Sequence, residues 1–370
     1  MRILEICVDL DGGGIDRYLY NYCSRIQGIQ FYFAIVDSKK NGILEPALRN
    51  LGSKIYRVPR MSNRLKHNYK ALYAIMTQND YDAVHVHLGY KSFLALLCAK
   101  RCGIKTRIVH AHIANVPESK KEKIIRFILT IITKHFATNL AACGIEAAKW
   151  VWGTKSYNKG IVKVHNNAIE TNKYTYNAAI NASYRKQLDI DDDILIIGHV
   201  GRLCSQKNQL RLIDIFNVLH KMNPKSCLVL IGRGEQEEAV KEKIKLLELT
   251  ENVKLLGVRD DVPLLLSMMD VFIFPSKYEG LPFTLVETQC NGLKAVSSDA
   301  VTEQVKVSEC IEFLSLEDSD EIWAETAIRA AQNGHDISAR LKVIEGGYDI
   351  DVEAKKLRDY YTYLIKRQSE

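Results

Sequence analysis

The segment of residues 270–292 limits the possible folds more than any other, because it joins an apolar run, a Gly-Pro turn and a helical pattern. Residues 270–276 form an apolar strand of the kind that is buried on both faces of a parallel sheet. Pro282 suits the first turn of a helix and Gly292 its left-handed end, which predicts a helix from Phe283 to Asn291. A strand, a loop and a helix in this order present free backbone N–H groups at a sheet edge, a favourable place for an anion.

The same alternation of strands and helices runs along the whole chain, which at 370 residues is too long for one ordinary core. Strands are expected at residues 2–9, 30–36, 82–87, 105–112 and 161–165, and then at 194–200, 226–231, 253–256, 270–275 and 293–297. Helical patterns in the first half cover residues 15–27, 63–78, 90–102, 118–134 and 144–152. This pattern predicts an α/β protein with two open parallel sheets, each covered by helices.

Composition excludes several classes of protein. The chain is 47% hydrophobic and 26% charged, as in soluble globular proteins. No window reaches the ~18 to 20 apolar residues that span a bilayer. The first apolar run contains Glu5 and leads into a glycine turn, so it predicts a strand and not a signal peptide. Nine cysteines without a C-x-x-C pair argue against disulfides and zinc, and favour a reducing cytoplasm.

Charge is distributed unevenly between the halves. Residues 1–170 contain 26 basic and 12 acidic residues, a net charge of +14, whereas residues 171–370 contain 25 and 32, a net charge of −7. A basic half attracts polyanions such as anionic lipid or a diphosphate-bearing acceptor. Residues 118–135 form a basic amphipathic helix that suits the surface of an anionic membrane, although a core-packed helix with a solvated basic face fits too. Without a nucleic-acid motif or an aromatic platform, nucleic acid is not expected as a partner.

Two features of the first half fall at strand ends, where sites form in parallel sheets. The run from Asp11 to Gly14 suits a phosphate or a tight turn, but it is not G-x-G-x-x-G, so a nicotinamide cofactor is not expected. Two histidine pairs follow, each on one face of its strand: His85 with His87, and His110 with His112. No Asp, Glu or Cys stands beside them at metal-ligand spacing, so no metal is predicted, and each histidine can also be structural.

The second half carries charged residues on two such loops. Arg202 and Lys207 lie five residues apart in a loop that enters a helix, where they can clamp a diphosphate, although such a loop is often only solvated. Glu279 and Glu287 flank the helix start at residue 283, where carboxylates can accept hydrogen bonds from hydroxyl groups.

Together these motifs resemble the E-x7-E, R-x4-K and Gly-Gly motifs of the retaining glycosyltransferases of family four, over essentially the whole chain. Three sets of residues take the family's roles by this resemblance. The catalytic residues are His110, Glu279, Arg202 and Lys207. The donor-binding residues are Gly13, Gly14, Arg202, Lys207, Gly232, Arg259, Glu279, Gly280, Leu281, Phe283, Thr284, Leu285 and Glu287. The acceptor-binding residues are His112 and Asn167.

The resemblance implies the GT-B fold, an α/β architecture of two Rossmann-like doubly wound domains facing each other across a cleft. Residues 1–170 would form the acceptor-binding domain, 171–190 a linker, 191–345 the nucleotide-sugar-binding domain and 346–370 a C-terminal helix that crosses back to the first domain.

The implied function is retaining transfer of a sugar, from a UDP-sugar most commonly, to a lipid-linked saccharide in surface polysaccharide biosynthesis. The nucleotide sugar is a co-substrate, and no cofactor or metal is expected. A peripheral protein at the inner face of the cytoplasmic membrane fits the basic first half. A sugar-nucleotide 2-epimerase of the same fold and a non-catalytic nucleotide-sugar-binding protein are the alternatives.

Overall fold

The computed structural model describes residues 1–10, 13–36, 42–60, 64–114 and 119–368. Residues 11, 12, 63 and 118, which belong to the predicted glycine run and to two predicted helix starts, lie outside the described residues. The chain forms two compact units, one of residues 1–168 with 350–370 and the other of residues 169–349.

The first unit is built on a parallel sheet of seven strands among the described residues, in the order β3-β2-β1-β4-β5-β6-β7. The strands are β1 Arg2–Cys7, β2 Gln30–Val36, β3 Lys54–Val58, β4 Ala83–Val86, β5 Thr106–Ala111, β6 Asn139–Ala142 and β7 Val162–Val164. The helices are α1 Gly14–Arg25, α2 Glu45–Asn50, α3 Leu65–Thr77, α4 Phe93–Arg101, α5 Lys120–Phe136, α6 Ile145–Ala147 and α7 Thr154–Asn158, with a later helix, Ile350–Arg367. The sequence pattern did not reveal β3 or β6.

The parallel register brings residues that are distant in sequence onto one face of this sheet. Glu5 of β1 pairs with His85 of β4, and His85 pairs with Ile108 of β5. Side chains alternate along a strand, so His87 and His110 lie on that same face. The first helix and the C-terminal helix pack against each other in this unit.

The second unit repeats the arrangement with six parallel strands in the described chain, in the order β10-β9-β8-β11-β12-β13. The strands are β8 Leu195–Val200, β9 Ser226–Ile231, β10 Val253–Gly257, β11 Val271–Phe274, β12 Ala295–Ser298 and β13 Ile311–Leu314. The helices are α8 Ala178–Gln187, α9 Gln209–Met222, α10 Glu237–Leu246, α11 Val262–Leu266, α12 Phe283–Asn291, α13 Asp320–Ala331 and α14 Ala339–Val343, and the C-terminal helix Ile350–Arg367 is α15. The predicted α/β class with doubly wound sheets is confirmed.

Helix α12 has the predicted ends. It runs from Phe283 to Asn291, Pro282 stands just before it, and Gly292 ends it in the left-handed region at φ 78°. Any larger residue at position 292 would also place its Cβ 2.4 Å from the backbone oxygen of Asp336. The glycine is therefore required by both conformation and space.

The strand order of the second unit reverses between β8 and β11, which are hydrogen-bonded neighbours. In open parallel sheets a ligand crevice lies outside the carboxyl ends of the strands at such a switch point. Both charged loops identified in the sequence follow these two strands, since residues 201–208 leave β8 and residues 275–282 leave β11.

Three further features bear on the predictions. Residues 171–190, predicted as a linker, contain a 3-10 turn, Thr171–Tyr174, and the whole of α8, all within the second unit. All nine cysteines are free thiols, and seven of them are buried. Among the described residues, every helix is too short or too polar to cross a membrane.

Candidate active site

Two loops of the second unit are tied together at the switch point by three hydrogen bonds. The side-chain amides of Gln206 and Asn208 donate to the backbone oxygens of Tyr278 and Pro275 at 2.9 and 3.1 Å. The backbone N–H of Lys277 donates to the oxygen of Gln206 at 2.8 Å. The two predicted motifs are thus one connected structure.

An ion pair between Lys207 and Glu279 lies at the centre of these loops. The Lys207 ammonium is 2.6 Å from Oε1 of Glu279, and the two side chains are only 16% and 9% exposed. The same ammonium lies 4.6 Å from the centre of the Phe274 ring. Because the pair is largely shielded from water, its charges interact more strongly than an exposed pair would.

Arg202 lies at the surface of the same unit. Its guanidinium pairs with Glu235 at 3.1 Å, and its side chain is 72% exposed. The backbone oxygen of Arg202 accepts a hydrogen bond from the buried side-chain amide of Gln209 at 2.9 Å. The structure therefore holds the Arg202 backbone firmly and leaves its side chain in an exposed, weak ion pair.

Glu287 is buried on the second turn of α12. Oε1 of Glu287 accepts a hydrogen bond from the Tyr174 hydroxyl at 2.8 Å. The N-terminus of α12 has no side-chain cap, so its first N–H groups depend on other partners. The remaining predicted residues of this segment are half-buried Gly280 and buried Leu281, Phe283, Thr284 and Leu285.

Gly232 packs against the backbone of the Arg202 loop. A Cβ at position 232 would lie 2.0 Å from the oxygen of Gly201, and Gly232 has φ +135°. Gly234 is restricted in the same way, because a Cβ at this position would lie 2.2 Å from the backbone oxygen of Leu203. The protein's own packing thus accounts for glycine at position 232, whether or not a ligand approaches.

Gly232→Ala is expected to lower the free energy of unfolding by ~1 to 3 kcal/mol. The added methyl group would collide with the backbone oxygen of Gly201, which cannot move aside as a flexible side chain can. Chemical denaturation measures this change. Gly14→Ala is the matched control, since no atom of the described chain lies within 4 Å of its virtual Cβ. Equal stability of the two variants would contradict the packing argument.

Arg259 is held within its own loop. Its guanidinium contacts both carboxylate oxygens of Asp261, with Nε 2.8 Å from Oδ1, and the Tyr184 hydroxyl donates to Oδ2 at 2.7 Å. The Arg259 pair keeps the pKa of Asp261 low, at about 2. Arg259 is therefore a preorganised cation at the carboxyl end of β10.

Sequence reasoning missed several residues that position the site. His199 and Gln209 lie beneath the Arg202 loop, where the Gln209 amide donates to His199 Nε2 at 3.2 Å and His199 Nδ1 is 2.9 Å from the oxygen of Ile273. Burial lowers the pKa of His199 to about 4, so it is neutral. Tyr174, the partner of Glu287, comes from the segment predicted as a linker. No sequence motif identifies these residues, because their roles depend on contacts that form only in the folded chain.

The first unit holds a buried cluster of polar residues, here called the Glu5 cluster, on one face of its central strands β1, β4 and β5. His87 Nε2 lies 2.7 Å from Oε2 of Glu5, and His87 Nδ1 lies 2.8 Å from His112 Nε2. His85 lies 3.2 Å from Nδ1 of His110. The cluster comprises Glu5, His85, His87, His110, His112 and Tyr361.

Glu5 is an acidic neighbour of the histidines, contrary to the prediction that none accompanies them. It stands about eighty positions before His85 in the sequence, but the parallel register of β1 and β4 makes it their neighbour. Ligand atoms of His85, His87 and His110 lie within 4.8 Å of one another, so these three are the candidate metal-ligating group among the described residues. Most of these nitrogens already have hydrogen-bond partners within the cluster.

Burial controls the protonation of the cluster. It raises the pKa of Glu5 to about 8, and the hydrogen bond from Tyr361 opposes this shift. Burial also lowers the pKa of His85, His87 and His110 well below the ordinary 6.5, and that of His112 to about 3. The histidines are therefore neutral, and Glu5 changes charge near neutral pH.

This pattern predicts how stability depends on pH. A carboxyl group whose pKa is raised by folding stabilises the protein fully below its ordinary pKa of 4.5, and that stabilisation is lost as the pH rises through about 8. Buried neutral histidines have the opposite effect, because they make the protein more stable as the pH rises toward 6.5 and have no further effect above it. Denaturation between about pH 6.5 and 8 should thus show the stability of the wild type falling, and Glu5→Gln should flatten that slope. An unchanged slope would contradict the assignment.

The other predicted residues of the first unit lie near the ends of its strands. Gly13 is the N-cap of α1 and Gly14 its first residue, and the Gly13 N–H donates to Asp16 at 3.0 Å. Asn167 is buried shortly after β7. The rings of His110 and His112 stack with their centres 4.1 Å apart, His110 fully buried and His112 half-buried.

Residues 181–333 match the family model described as Glycosyl transferases group 1. The chain is 27% identical over 374 residues to EpsF of Bacillus subtilis, which is named as a glycosyltransferase, with 99% of this chain and 97% of EpsF covered. It is 25% identical to a UDP-Gal:alpha-D-GlcNAc-diphosphoundecaprenol alpha-1,3-galactosyltransferase of Escherichia coli, covering 80% of this chain and 79% of that protein.

The fold is similar to that of HepE from Anabaena, solved in complex with UDP and glucose. The TM-score is 0.81 at 18% identity, and the match covers 98% of this chain and 99% of HepE. At this level of identity the likeness concerns the fold.

Proposed function

We propose that the chain, whose residues 181–333 match the family model of the glycosyl transferases group 1, transfers a sugar from a nucleotide-sugar donor to a saccharide, with retention at the anomeric carbon. Its place is in surface polysaccharide biosynthesis. The observation that carries the proposal is the shielded ion pair between Lys207 and Glu279, because it joins both donor motifs at the switch point of one sheet.

The donor is a UDP-sugar in this proposal. HepE was solved with UDP and glucose, and the relative from Escherichia coli is named for UDP-Gal, which supports this choice. Lys207 and Arg202 bind the diphosphate together with the N-terminus of α12, where uncapped N–H groups and the helix dipole favour an anion. Arg202 leaves its ion pair with Glu235 to bind the phosphate, and this costs little free energy because the pair is exposed to water.

The carboxylates take the hydroxyl groups of the donor. Glu279 accepts from the sugar and Glu287 from the ribose, while Gly232 and Arg259 line the nucleotide at neighbouring loops. Gly13 and Gly14 contact the donor in this proposal. No atom of the described chain lies within 4 Å of a Cβ at Gly14, whereas Oδ2 of Asp16 lies 3.5 Å from a Cβ at Gly13.

Breaking the bond between the sugar and the diphosphate leaves negative charge on the phosphate. Lys207 and Arg202 stabilise that charge without a metal ion, and each charge-assisted hydrogen bond contributes ~1.5 to 3 kcal/mol. No other cofactor takes part, since the nucleotide sugar itself supplies the transferred group.

The acceptor is a lipid-linked saccharide that contacts His112 and Asn167, with His110 beside them. The relative from Escherichia coli is named for a diphosphoundecaprenol-linked acceptor, which supports this class. The basic first half of the chain suits the diphosphate of such an acceptor.

Helix α5 supports a position at the surface of an anionic membrane. Its inner side packs on the first unit, where the Thr133 hydroxyl donates to the oxygen of Tyr90 at 2.8 Å and Arg126 lies 4.4 Å from the Trp150 ring. Its outer side carries an apolar stripe spaced at i, i+3, i+4 and i+7, here called the α5 stripe. The α5 stripe consists of Ile124, Phe127, Ile128 and Ile131, which are 60%, 65%, 50% and 54% exposed.

Exposed lysines border the α5 stripe, namely Lys120, Lys121 and Lys123. Apolar residues bordered by cations on one helix face are the pattern by which peripheral helices enter the headgroup region of anionic lipid. We place the protein at the inner face of the cytoplasmic membrane, in keeping with its nine free thiols.

A two-step experiment tests the proposed function. A thermal-shift screen of nucleotide sugars should find one that raises Tm, since a ligand stabilises by RT ln(1+[L]/Kd). With that donor, the release of nucleoside diphosphate should depend on an added lipid-linked saccharide. Donor turnover without any acceptor would instead identify a 2-epimerase, and a binding shift without turnover would identify a non-catalytic protein.

A further inference from the structure

Strands β8 and β11 of the second unit are joined at their ends by side chains. Among the described residues, the register between them stops two residues before the end of either strand. Beyond that point, the Nδ1–H of His199 donates to the oxygen of Ile273 at 2.9 Å, and the side-chain amide of Asn208 donates to the oxygen of Pro275 at 3.1 Å. Asn208 is the last residue of the loop after β8, and Pro275 is the first of the loop after β11, so this bond joins the bases of the two charged loops.

Asn208 has an unusual backbone conformation for a residue with a side chain. Its φ is 59° and its ψ is 40°, in the left-handed region. The other non-glycine residues with positive φ in the described chain are Asp189 and Glu248. Asparagine tolerates the left-handed region better than most residues that carry a Cβ. The chain therefore turns sharply at Asn208, immediately before α9 begins.

The residues on either side of Asn208 have different surroundings. Lys207 forms the shielded ion pair with Glu279 at 2.6 Å. Gln209 is fully buried, and its side-chain amide donates to the backbone oxygen of Arg202 at 2.9 Å. Gln209 thus ties the end of the loop to its start. Because the base of the loop is held in this way, a change of the backbone at Asn208 would mainly displace Lys207.

Packing leaves the Lys207 side chain little freedom of its own. Its Cδ and Cε would lie 3.5 Å from a Cβ at Gly201, so the methylene chain packs against that glycine. Its ammonium lies 4.6 Å from the centre of the Phe274 ring, and this ring stacks on His199 with the two centres 5.8 Å apart. The place of the ammonium is therefore set by the backbone turn that follows it.

We propose that Asn208 is a positioning residue for sugar transfer. Its left-handed backbone and its hydrogen bond to Pro275 hold the Lys207 ammonium where the diphosphate of the donor binds. This inference rests on the proposed function, in which Lys207 binds that diphosphate, and Asn208 acts through Lys207. All the residues that carry it belong to the second unit. A cation that is fixed before the reaction stabilises developing charge without rearrangement, so its placement affects the rate.

Two substitutions separate the two contributions of Asn208. Glycine adopts the left-handed region readily, so Asn208→Gly keeps the turn and removes the amide bond to Pro275. It should lower kcat/KM for transfer by about tenfold, the worth of one hydrogen bond. Asn208→Ala should lower kcat/KM further, because alanine also disfavours the turn and so displaces Lys207.

The matched control is Glu248→Gly. Glu248 also has φ 59°, but it is exposed and lies beyond the end of α10, outside both charged loops. This variant relieves the same backbone conformation and should keep kcat/KM within about twofold of the wild type, as surface changes do. Chemical denaturation should show both glycine variants folded.

A double-mutant cycle distinguishes positioning from a merely structural role. In a chain that already carries Lys207→Ala, Asn208→Gly should change kcat/KM by less than about twofold, because no ammonium is left to be positioned. A structural role would lower kcat/KM by the same factor with and without Lys207. Calorimetry with UDP gives a second readout that needs no acceptor. Asn208→Gly should weaken UDP binding when Lys207 is present and leave it unchanged in the Lys207→Ala chain.

The possible results separate this inference from the proposed function. A folded Asn208→Gly protein with the kcat/KM and UDP affinity of the wild type would overturn the positioning role and leave the proposed function standing. Equal losses in the two backgrounds would overturn the positioning role too. A wild type that binds no nucleotide sugar in the thermal-shift screen would instead refute the proposed function, and the role of Asn208 with it.

Discussion

Replacing Lys207 with alanine is expected to lower kcat/KM for sugar transfer by at least about a hundredfold, because one charged group is removed from the departing diphosphate. The Lys207 ammonium is only 16% exposed and lies 2.6 Å from Glu279. A cation held in place away from water needs little rearrangement when charge develops, so its loss acts mainly on the transition state. Steady-state kinetics with the donor found by the thermal-shift screen measure the effect.

The matched control is Lys277→Ala. Lys277 belongs to the neighbouring loop and carries the same charge, but it is exposed and its ammonium is 3.3 Å from the hydroxyl of Ser205. This variant should keep kcat/KM within about threefold, as surface changes do. Circular dichroism should show both variants folded. A folded Lys207→Ala enzyme with turnover like that of Lys277→Ala would remove Lys207 from the site.

The shielded pair also gives Glu279 a defined role before any donor arrives. A carboxylate at 9% exposure without a partner is costly, so Lys207 stabilises the loop in the free protein. In the proposed function, Lys207 shifts toward phosphate when the donor binds, and Glu279 accepts hydrogen bonds from the sugar hydroxyls. In this proposal, Lys207 and Glu279 therefore stabilise the loops of the free protein and bind the donor when it is present.

The sequence predicted the structure best where a residue type strongly favours one local conformation, as proline does at a helix start and glycine at a helix end. Pro282 and Gly292 fix the ends of α12, and the apolar runs of β8, β9 and β11 predict buried parallel strands. Strands β3 and β13 were missed because their residues are partly exposed and do not form apolar runs. Local pattern is a weak signal at such positions.

The side-chain partners depend on the register of the sheets. Glu5 stands alone in its apolar run, and only the pairing of β1 with β4 puts it next to His85. Tyr174 likewise meets Glu287 across more than a hundred residues. The order of strand, loop and helix predicted that Lys207 and Glu279 each lie on a loop after a strand, but the exposed pair of Arg202 with Glu235 has no signature in the sequence.

Introducing two glutamates into the α5 stripe, Phe127→Glu with Ile131→Glu, is expected to abolish binding to anionic vesicles. Removing two large apolar side chains from the lipid forfeits ~1.5 to 3 kcal/mol each, so the vesicle affinity should fall more than about a hundredfold. The added charges are also repelled by anionic headgroups. Flotation with vesicles containing phosphatidylglycerol measures binding, and vesicles of phosphatidylcholine alone show the contribution of the lysines.

Leu246→Glu is the control, because Leu246 is an 81% exposed apolar residue at the end of α10, in the second unit. It should leave vesicle binding unchanged. The stripe variant should remain folded, since its side chains are exposed and the contacts of Thr133 and Arg126 on the inner side of α5 are retained. Transfer to a water-soluble acceptor should persist in the stripe variant while transfer to an acceptor in vesicles falls. Undiminished flotation of the stripe variant would show that α5 does not carry the protein to the membrane.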